Sequence, residues 1–250
     1  MTVANEGSAD LVYARRLTDE LGVPLDIVPA PEPEELLKEL DAMVARLETW
    51  ESQVLTHAFP TWAALSALAT LPGRSRTVLT GEGSDELFGG YRSGTESPAD
   101  VLRHRLRELG NLHRTSCQRL DRLAAATAIE VRTPFLAPEV IRAALGFGPQ
   151  DLVRNGLSKA ALRAAMRDDL PDYVLEREKM TFARGAGYHY GRQDAGHGLL
   201  GEGFDRDAVV PPDWDDTVSR LATGPLERYT LARFLQLGYG KASYLLSRTL

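Results

Sequence analysis

The run Thr77 to Tyr91, TVLTGEGSDELFGGY, carries the densest chemistry in this 250-residue chain. A short apolar strand, Thr77-Val78-Leu79-Thr80, leads into Gly81-Glu82-Gly83-Ser84-Asp85-Glu86, and Gly89-Gly90 follow an apolar pair. Glycines directly after a strand let backbone N–H groups approach an anionic ligand closely. Glu82, Asp85 and Glu86 would repel one another without a cation or a basic side chain nearby. A hard divalent ion carried on a phosphate meets that need. On spacing alone, a solvated turn opening an acid-rich helix explains the run equally well.

Three further segments carry charge in suggestive places. Arg177-Glu178-Lys179, followed by Phe182, Gly185, Gly187 and Tyr188, reads by itself as a basic turn before a glycine-rich loop. Glu130-Val131-Arg132, before Thr133-Pro134-Phe135-Leu136, reads as a structural ion pair or as a pair facing substrate. Ser158-Lys159 with Arg163 lies on a helix, where surface charge is the default. His57 reads as a helix cap or packing residue, and His104, His113, His189 and His197 lack metal-ligand spacing. Cys117, near Leu120 and Ala124, reads as a packed thiol. Arg103, Arg105, Arg107 and Arg114 read first as a solvated helix face and second as a docking patch.

The elements that must position these residues follow from periodicity and stop signals. Strands are expected at Thr2–Ala4, Leu25–Val28 and Thr77–Thr80. Helices are expected at Asp10–Leu21, before Gly22 and Pro24, at Glu32–Leu47 with Leu36, Leu37, Leu40, Met43, Val44 and Leu47 in helical register, and at Trp62–Leu71. Beyond Asp100 helices are expected at 99–109, 113–129, 137–145, 158–168 and 225–247, with 184–216 irregular. The expected architecture is α/β over 1–92 and mostly helical over 93–250, with a boundary near 92–98.

Composition narrows the field. At 43% hydrophobic and 26% charged, the chain reads as globular rather than disordered. No apolar run reaches the roughly 18 residues of a membrane helix, and no signal peptide opens the sequence. A single cysteine excludes an internal disulfide framework. A net charge of −6 argues against nucleic acid as a partner. The expectation is a cytoplasmic protein with neither membrane nor nucleic-acid partners.

In order along the chain, these segments resemble the synthetase domain of the asparagine synthase family. Val3 through Gly7-Ser8-Ala9-Asp10 fits its Gly-Ser-x-Asp stretch, and Leu47-Glu48-Thr49 its Leu-Glu-Thr. Thr80 to Tyr91 fits its Ser-Gly-Glu-Gly-Ser-Asp-Glu-x-Phe-Gly-Gly-Tyr, with Thr80 in place of the leading Ser. Glu-x-Arg-x-Pro-Phe-Leu, Lys-x-x-Leu-Arg and Arg-x-Lys-x-x-Phe-x-x-Gly-x-Gly-Tyr follow at 130, 159 and 177. The resemblance implies a parallel sheet of the adenine-nucleotide alpha hydrolase type. It also implies an ATP- and Mg2+-dependent enzyme that adenylates a carboxylate and then transfers an amine, usually ammonia, to it. By the same resemblance Asp85 would hold magnesium, and Thr80, Gly81, Gly83 and Ser84 would line nucleotide and pyrophosphate. Lys179 would neutralise charge on the α-phosphoryl group in the transition state, Lys159 would reach the phosphates, and Val3 would offer its backbone to adenine. Glu82 would take a proton from the attacking nitrogen. Relatives that form β-lactams tend to carry Tyr there, so Glu82 favours the asparagine-synthase type.

Two departures stand out. No Ser-Gly-Gly-x-Asp-Ser pyrophosphate loop occurs, nor a glutaminase domain with its Cys nucleophile. The loop-bearing strand belongs between those of Val3 and Val78, and its loss would leave two sheet edges open to another chain. Unsatisfied buried backbone groups cost about 1–3 kcal/mol each. The expectation is the C-terminal part of a split enzyme whose partner polypeptide supplies the loop and perhaps the glutaminase. The second departure concerns the acceptor acid. Where asparagine synthases carry Arg and hydroxyl residues, this chain has Thr56 and Ala58-Phe59, and Ala137 replaces an Asp. A missing guanidinium removes a carboxylate clamp. Thr56, Phe59, Glu130 and Arg132 are the candidate substrate contacts, and a small acid less charged or bulkier than aspartate, as in specialised metabolism, is the expected substrate. Kept beside this are a lasso-type peptide cyclase and an inactive pseudo-synthetase serving as a scaffold.

Overall fold

Apolar residues in helical register at 36–47 build the first helical layer, and strand-forming runs at 2–3 and 77–79 build the sheets. The computed structural model describes residues 1–31, 33–73, 75–91, 96–180, 185–186, 215–222 and 224–238. In chain order the elements begin with β1 (Thr2–Val3), α1 (Ala9–Leu21), β2 (Ile27–Val28), α2 (Pro33–Leu47), α3 (Ser52–Thr70), β3 (Thr77–Leu79) and α4 (Ser84–Phe88). Next come α5 (Pro98–Asn111), a π-helical turn at His113–Cys117, α6 (Gln118–Thr127), β4 (Glu130–Arg132), a 3-10 turn at Pro134–Leu136 and α7 (Pro138–Leu145). The series continues with α8 (Pro149–Leu152), β5 (Val153–Arg154), β6 (Leu157–Ser158), α9 (Ala160–Ala165), α10 (Asp172–Leu175), α11 (Asp215–Leu221) and α12 (Pro225–Gln236). None of the described helices is long and apolar enough to cross a membrane.

The packing draws two compact units, Met1–Leu71 with Phe182–Leu250, and Pro72–Thr181. The boundary expected between 92 and 98 falls in part on residues 92–95, outside the described residues. Residues 72–91 group with those that follow, and α12 groups with α2 and α3.

In the first unit β1 and β2 pair in parallel, Thr2 with Ile27 and Val3 with Val28. The crossover is α1, opened by Ser8, whose Oγ accepts from the Leu11 N–H, and closed by Gly22 in the left-handed region at φ 64°. The core lies where α2 packs on α3 and α12. Leu36, Leu40, Met43, Val44 and Leu47 are buried from α2, Leu55, Ala58 and Phe59 from α3, and Leu231 and Phe234 from α12. Tyr229 donates to Asp41 at 2.7 Å, and Thr230 to the Trp50 carbonyl at 2.8 Å.

Helix α3 corrects the sequence reading, which started this helix at Trp62. It starts at Ser52 and runs through Pro60. Pro60 removes the N–H that would reach the Thr56 carbonyl. The hydroxyls of Thr56 and Thr61 bond back to the Ser52 and His57 carbonyls at 2.7 and 3.0 Å, and burial of Ala58, Phe59 and Pro60 outweighs the lost backbone bond. His57 therefore sits inside a helix rather than at its start.

In the second unit β3 and β4 pair in parallel, Thr77 with Glu130, Val78 with Val131 and Leu79 with Arg132. Strand β4 was not expected. Its three residues are too few for an alternation signal, and partner β3 secures it. The core gathers Leu87, Phe88 and Ala144 with Phe135, Leu136, Val140, Ile141 and Leu162. Phe88 meets Phe135 edge-on at 6.2 Å. The architecture is α/β, mainly helical. Among the described residues each parallel pair is a sheet of its own.

Candidate active site

Backbone geometry sets the Gly81–Asp85 loop. The Thr80 N–H donates to the Arg132 carbonyl at 3.0 Å, carrying the β3–β4 ladder one residue beyond the strand. Gly83 then caps α4 at φ 89°, where a side chain would be strained. A Cβ there would lie 2.3 Å from Leu136 Cδ2, so close approach also demands glycine. Gly89 ends α4 at φ 70°, and the Gly90 N–H donates to the Asp85 carbonyl at 2.8 Å. A Cβ on Gly90 would fall 1.7 Å from Asp85 Oδ1 and 2.7 Å from Lys159 Cε. Gly90 is therefore what leaves room for these two side chains.

Lys159 reaches the loop from a hairpin. Asn155 and Gly156 both have positive φ, 52° and 77°, the pattern of a two-residue turn joining β5 to β6. Ser158 is buried, and Lys159 turns the chain at φ 58° into α9. Its Nζ lies 2.8 Å from Asp85 Oδ1 and donates to Ser84 Oγ at 3.0 Å. Lys179 Nζ donates to Asp85 Oδ2 at 2.9 Å and lies over the Tyr91 ring at 5.5 Å. The Asp85 and Lys159 side chains are each 17% exposed and that of Lys179 33%. Two cations thus face one carboxylate, leaving the cluster with a surplus positive charge. Burial raises the Asp85 carboxyl pKa, but the two ammonium groups outweigh it and hold the pKa below the ordinary carboxylate range. Burial pushes the Lys159 ammonium down, and Asp85 opposes that shift.

Two arginines complete the site; the sequence reading missed Arg119 and took Arg163 for surface charge. Arg119 Nη2 donates to Glu82 Oε1 at 2.5 Å, with the side chains 10% and 23% exposed. Arg119 stands just after the π-helical turn at His113–Cys117. Such insertions recur at functional sites and are the available signal. Arg163, read from sequence as surface charge, is partly buried. It donates to the carbonyls of Ser158 at 2.7 Å and Arg177 at 2.8 Å, and to that of Leu175. Arg105 likewise is no solvated residue. It is buried and donates to the Phe147 carbonyl at 3.1 Å and to that of Ala144. Glu86 is buried beside the loop, and burial, with Asp85, Glu82 and Glu108 nearby, pushes its carboxyl pKa up.

The remaining candidates are spread more widely. Glu130 and Arg132 sit exposed on β4, paired with each other at 2.8 Å. Thr80 Oγ1 is buried with no hydrogen-bond partner among the described residues. Val3, Thr56 and Phe59 belong to the first unit. Val3 is buried in β1, the Thr56 hydroxyl is bonded within α3, and Phe59 fills the core at 2% exposure. Phe182, Gly187 and Tyr188 lie outside the described residues, as do His189, His197 and helix residues 239–247.

No group of three or more His, Cys, Asp or Glu side chains converges as a metal site among the described residues. Asp85 is one carboxylate with an ammonium group on each oxygen. That does not suit a free-standing metal. It suits magnesium carried on phosphate, which keeps waters and takes one or two protein carboxylates. The surplus ammonium charge and the glycines that make room beside Asp85 fit a phosphate chain at the same place.

Residues 1–106 and 95–209 match the asparagine synthase family. The chain belongs to the asparagine synthase family. Its relatives include the glutamine-hydrolysing asparagine synthetase of Zea mays, 29% identical over 195 residues, covering 74% of this chain and 33% of the relative. Glutamine-hydrolysing asparagine synthetase 2 of Oryza sativa is 30% identical over 195 residues, covering 74% of this chain and 32% of the relative. Glutamine-hydrolysing asparagine synthetase B of Escherichia coli is 29% identical over 188 residues, covering 74% of this chain and 33% of the relative. The chain thus spans about a third of the length of the curated relatives it matches.

Proposed function

We propose that this chain supplies phosphate-binding and catalytic residues to an ATP-dependent amide-forming ligase, one that adenylates a small carboxylic acid and passes an amine or ammonia to it. The observation that carries this reading is the meeting of Lys159 and Lys179 on the two oxygens of Asp85, beside a glycine-shaped loop. Both ammonium groups are held part-buried and close enough together to pass from the carboxylate to phosphate oxygens. Fixed cations at developing phosphoryl charge stabilise a transition state without reorganising at the moment of reaction. Lys179, the more exposed of the two, is the one we assign to the α-phosphoryl group, and Lys159, tied to Ser84, to the phosphates behind it. When bound, magnesium supplies further charge neutralisation, and Asp85 is the residue that would hold it with the phosphate oxygens.

Glu82 has one oxygen fixed by Arg119, which orients the other toward a proton on the attacking nitrogen. By the family resemblance Gly81, Gly83 and Thr80 are the residues of the second unit that we assign to the nucleotide, and Val3 is the candidate that the first unit offers. With Phe59 in a packed core, the proposal that the acceptor is not aspartate rests on Thr56, which offers a hydroxyl where a guanidinium clamp would be needed. No Ser-Gly-Gly-x-Asp-Ser loop is among these 250 residues, and we propose that a second polypeptide supplies it, with a glutaminase as nitrogen source. The setting we propose is the cytoplasm, in specialised metabolism.

The test is exchange of labelled pyrophosphate into ATP, run with a panel of carboxylic acids, for this chain alone and mixed with the loop-bearing polypeptide. Acid-dependent exchange that needs the mixture and disappears in Lys179→Ala supports the proposal. Full exchange by the chain alone refutes the partner, and exchange indifferent to Lys179 refutes the assignment.

A further inference from the structure

Lys159 and Lys179 lie on separate segments, one after a hairpin and the other after the short helix α10, yet their ammonium groups meet on one carboxylate. Long side chains do not hold such a meeting by themselves, because each lysine retains several rotatable bonds. Something must fix the two backbones relative to each other. The side chain that touches both is Arg163. Its Nε donates to the carbonyl of Ser158, the residue before Lys159, at 2.7 Å. Its Nη1 donates to the carbonyl of Leu175 at the end of α10, and its Nη2 to that of Arg177 at 2.8 Å. The Arg163 backbone N–H also donates to the Lys159 carbonyl at 2.9 Å.

All three side-chain acceptors are neutral main-chain carbonyls. The planar fork of a guanidinium is used here for geometry, not for charge pairing, and an ammonium cannot reproduce three directed bonds of that spread. The carbonyls at the end of α10 would otherwise lack partners, as helix ends do. We infer that Arg163 is a positioning residue of the proposed ligase site, a single guanidinium that locks the Lys159 and Lys179 segments together so that both ammonium groups converge on Asp85. The inference rests on the phosphate-site reading for its role in the reaction, but not for the clamp itself. Lys159 keeps independent anchors in the hairpin and in Ser84, so loss of the clamp should free Lys179 first.

The experiment is competitive trace labelling of lysine amines by acetic anhydride in the full chain without nucleotide, read by mass spectrometry, for wild type and Arg163→Gln. The exposed Lys38 serves as the internal reference. In the wild type, Lys159 and Lys179 label more slowly than Lys38. In Arg163→Gln, with unchanged circular dichroism and Lys38 rate, Lys179 labelling rises to about the Lys38 rate, because its amine no longer sits on Asp85, while Lys159 moves less. Should Arg163→Gln fail to fold, Arg163→Lys gives the same reading, because a lysine can serve only part of the three-carbonyl set. Unchanged Lys179 labelling in either folded variant overturns the inference. In the pyrophosphate-exchange assay the variant lowers kcat far more than it raises KM for ATP, following Lys179→Ala. A freed Lys179 with unchanged kcat overturns the role in the reaction. Absence of wild-type exchange in the mixture with the loop-bearing polypeptide counts against the proposed ligase, while the labelling still decides the clamp.

Discussion

Replacing Asp85 by Asn removes the one carboxylate that two part-buried ammonium groups share. Each pair, at 2.8 and 2.9 Å, has a gross attraction of about 6 kcal/mol at an effective dielectric of about 20. Desolvation cancels much of this in the intact cluster. Breaking a fully buried pair from one side costs about 3–5 kcal/mol, and a surface pair is worth about 0–1 kcal/mol. With Asp85 and Lys159 at 17% exposure and Lys179 at 33%, Asp85→Asn lies between, about 2–4 kcal/mol. In a chain of this size that lowers the melting temperature by about 4–8 °C.

The pH dependence carries the diagnosis. The folded pKa of Asp85 is depressed, so its contribution is complete above the unfolded value near 3.9 and is lost as pH falls through the lower folded value. The folded pKa of Lys159 is also depressed, so the unfolded chain binds more protons between that value and about 10.4, and stability rises with pH across that window. Without Asp85 the Lys159 pKa falls further and the window widens downward. The difference between wild type and Asp85→Asn is therefore largest below the Lys159 pKa of the variant and shrinks as pH rises from that value to the Lys159 pKa of the wild type. Urea unfolding of both proteins from about pH 5 to 10 measures it. A difference that is absent at about pH 5, or that does not shrink between there and about pH 10, would refute the buried triad.

Other substitutions separate the remaining contributions. Gly83→Ala meets both the positive φ and Leu136, and a loss of about 2–4 kcal/mol in chemical unfolding is expected. Gly90→Ala displaces the Asp85 carboxylate, so it should reproduce the weakened lysine pairing of Asp85→Asn in the labelling assay. Arg119→Leu strands Glu82, and a double-mutant cycle with Glu82→Gln should return a coupling of about 2 kcal/mol or more, against near zero if the two side chains act separately. Phe59→Ala empties a core position of the first unit and should cost about 3–5 kcal/mol in unfolding experiments.

What could be read from sequence was local. The apolar register of 36–47 placed α2, and Gly22 and Pro24 marked the end of α1. The glycines and acids of 81–86 marked the loop, and the expectation that its carboxylates need a basic neighbour is met by Lys159 and Lys179. What could not be read was long-range. Arg119 and Arg163 act through contacts with Glu82 and with main-chain carbonyls at 158, 175 and 177; Arg119 has no pattern of its own in the sequence, and the Lys-x-x-Leu-Arg stretch that holds Arg163 does not tell which carbonyls it reaches. Strand β4 exists because β3 lies beside it. The β5–β6 hairpin did announce itself, since Asn155-Gly156 after Val153-Arg154 is a strong turn signal that fell between the helices expected at 137–145 and 158–168. Helix α3 shows the reverse case. The sequence reading began it at Trp62, but burial of Ala58 and Phe59 carries the helix through Pro60 from Ser52.

The central claim is that the Asp85–Lys159–Lys179 cluster receives the phosphates of ATP. Lysine labelling of the native protein, alone and with the proposed loop-bearing polypeptide, in the presence and absence of ATP and magnesium measures this most directly. The expected result is strong nucleotide protection of Lys159 and Lys179, with Lys38 unchanged, abolished in Asp85→Asn. Labelling of both lysines unaffected by saturating ATP would contradict the account.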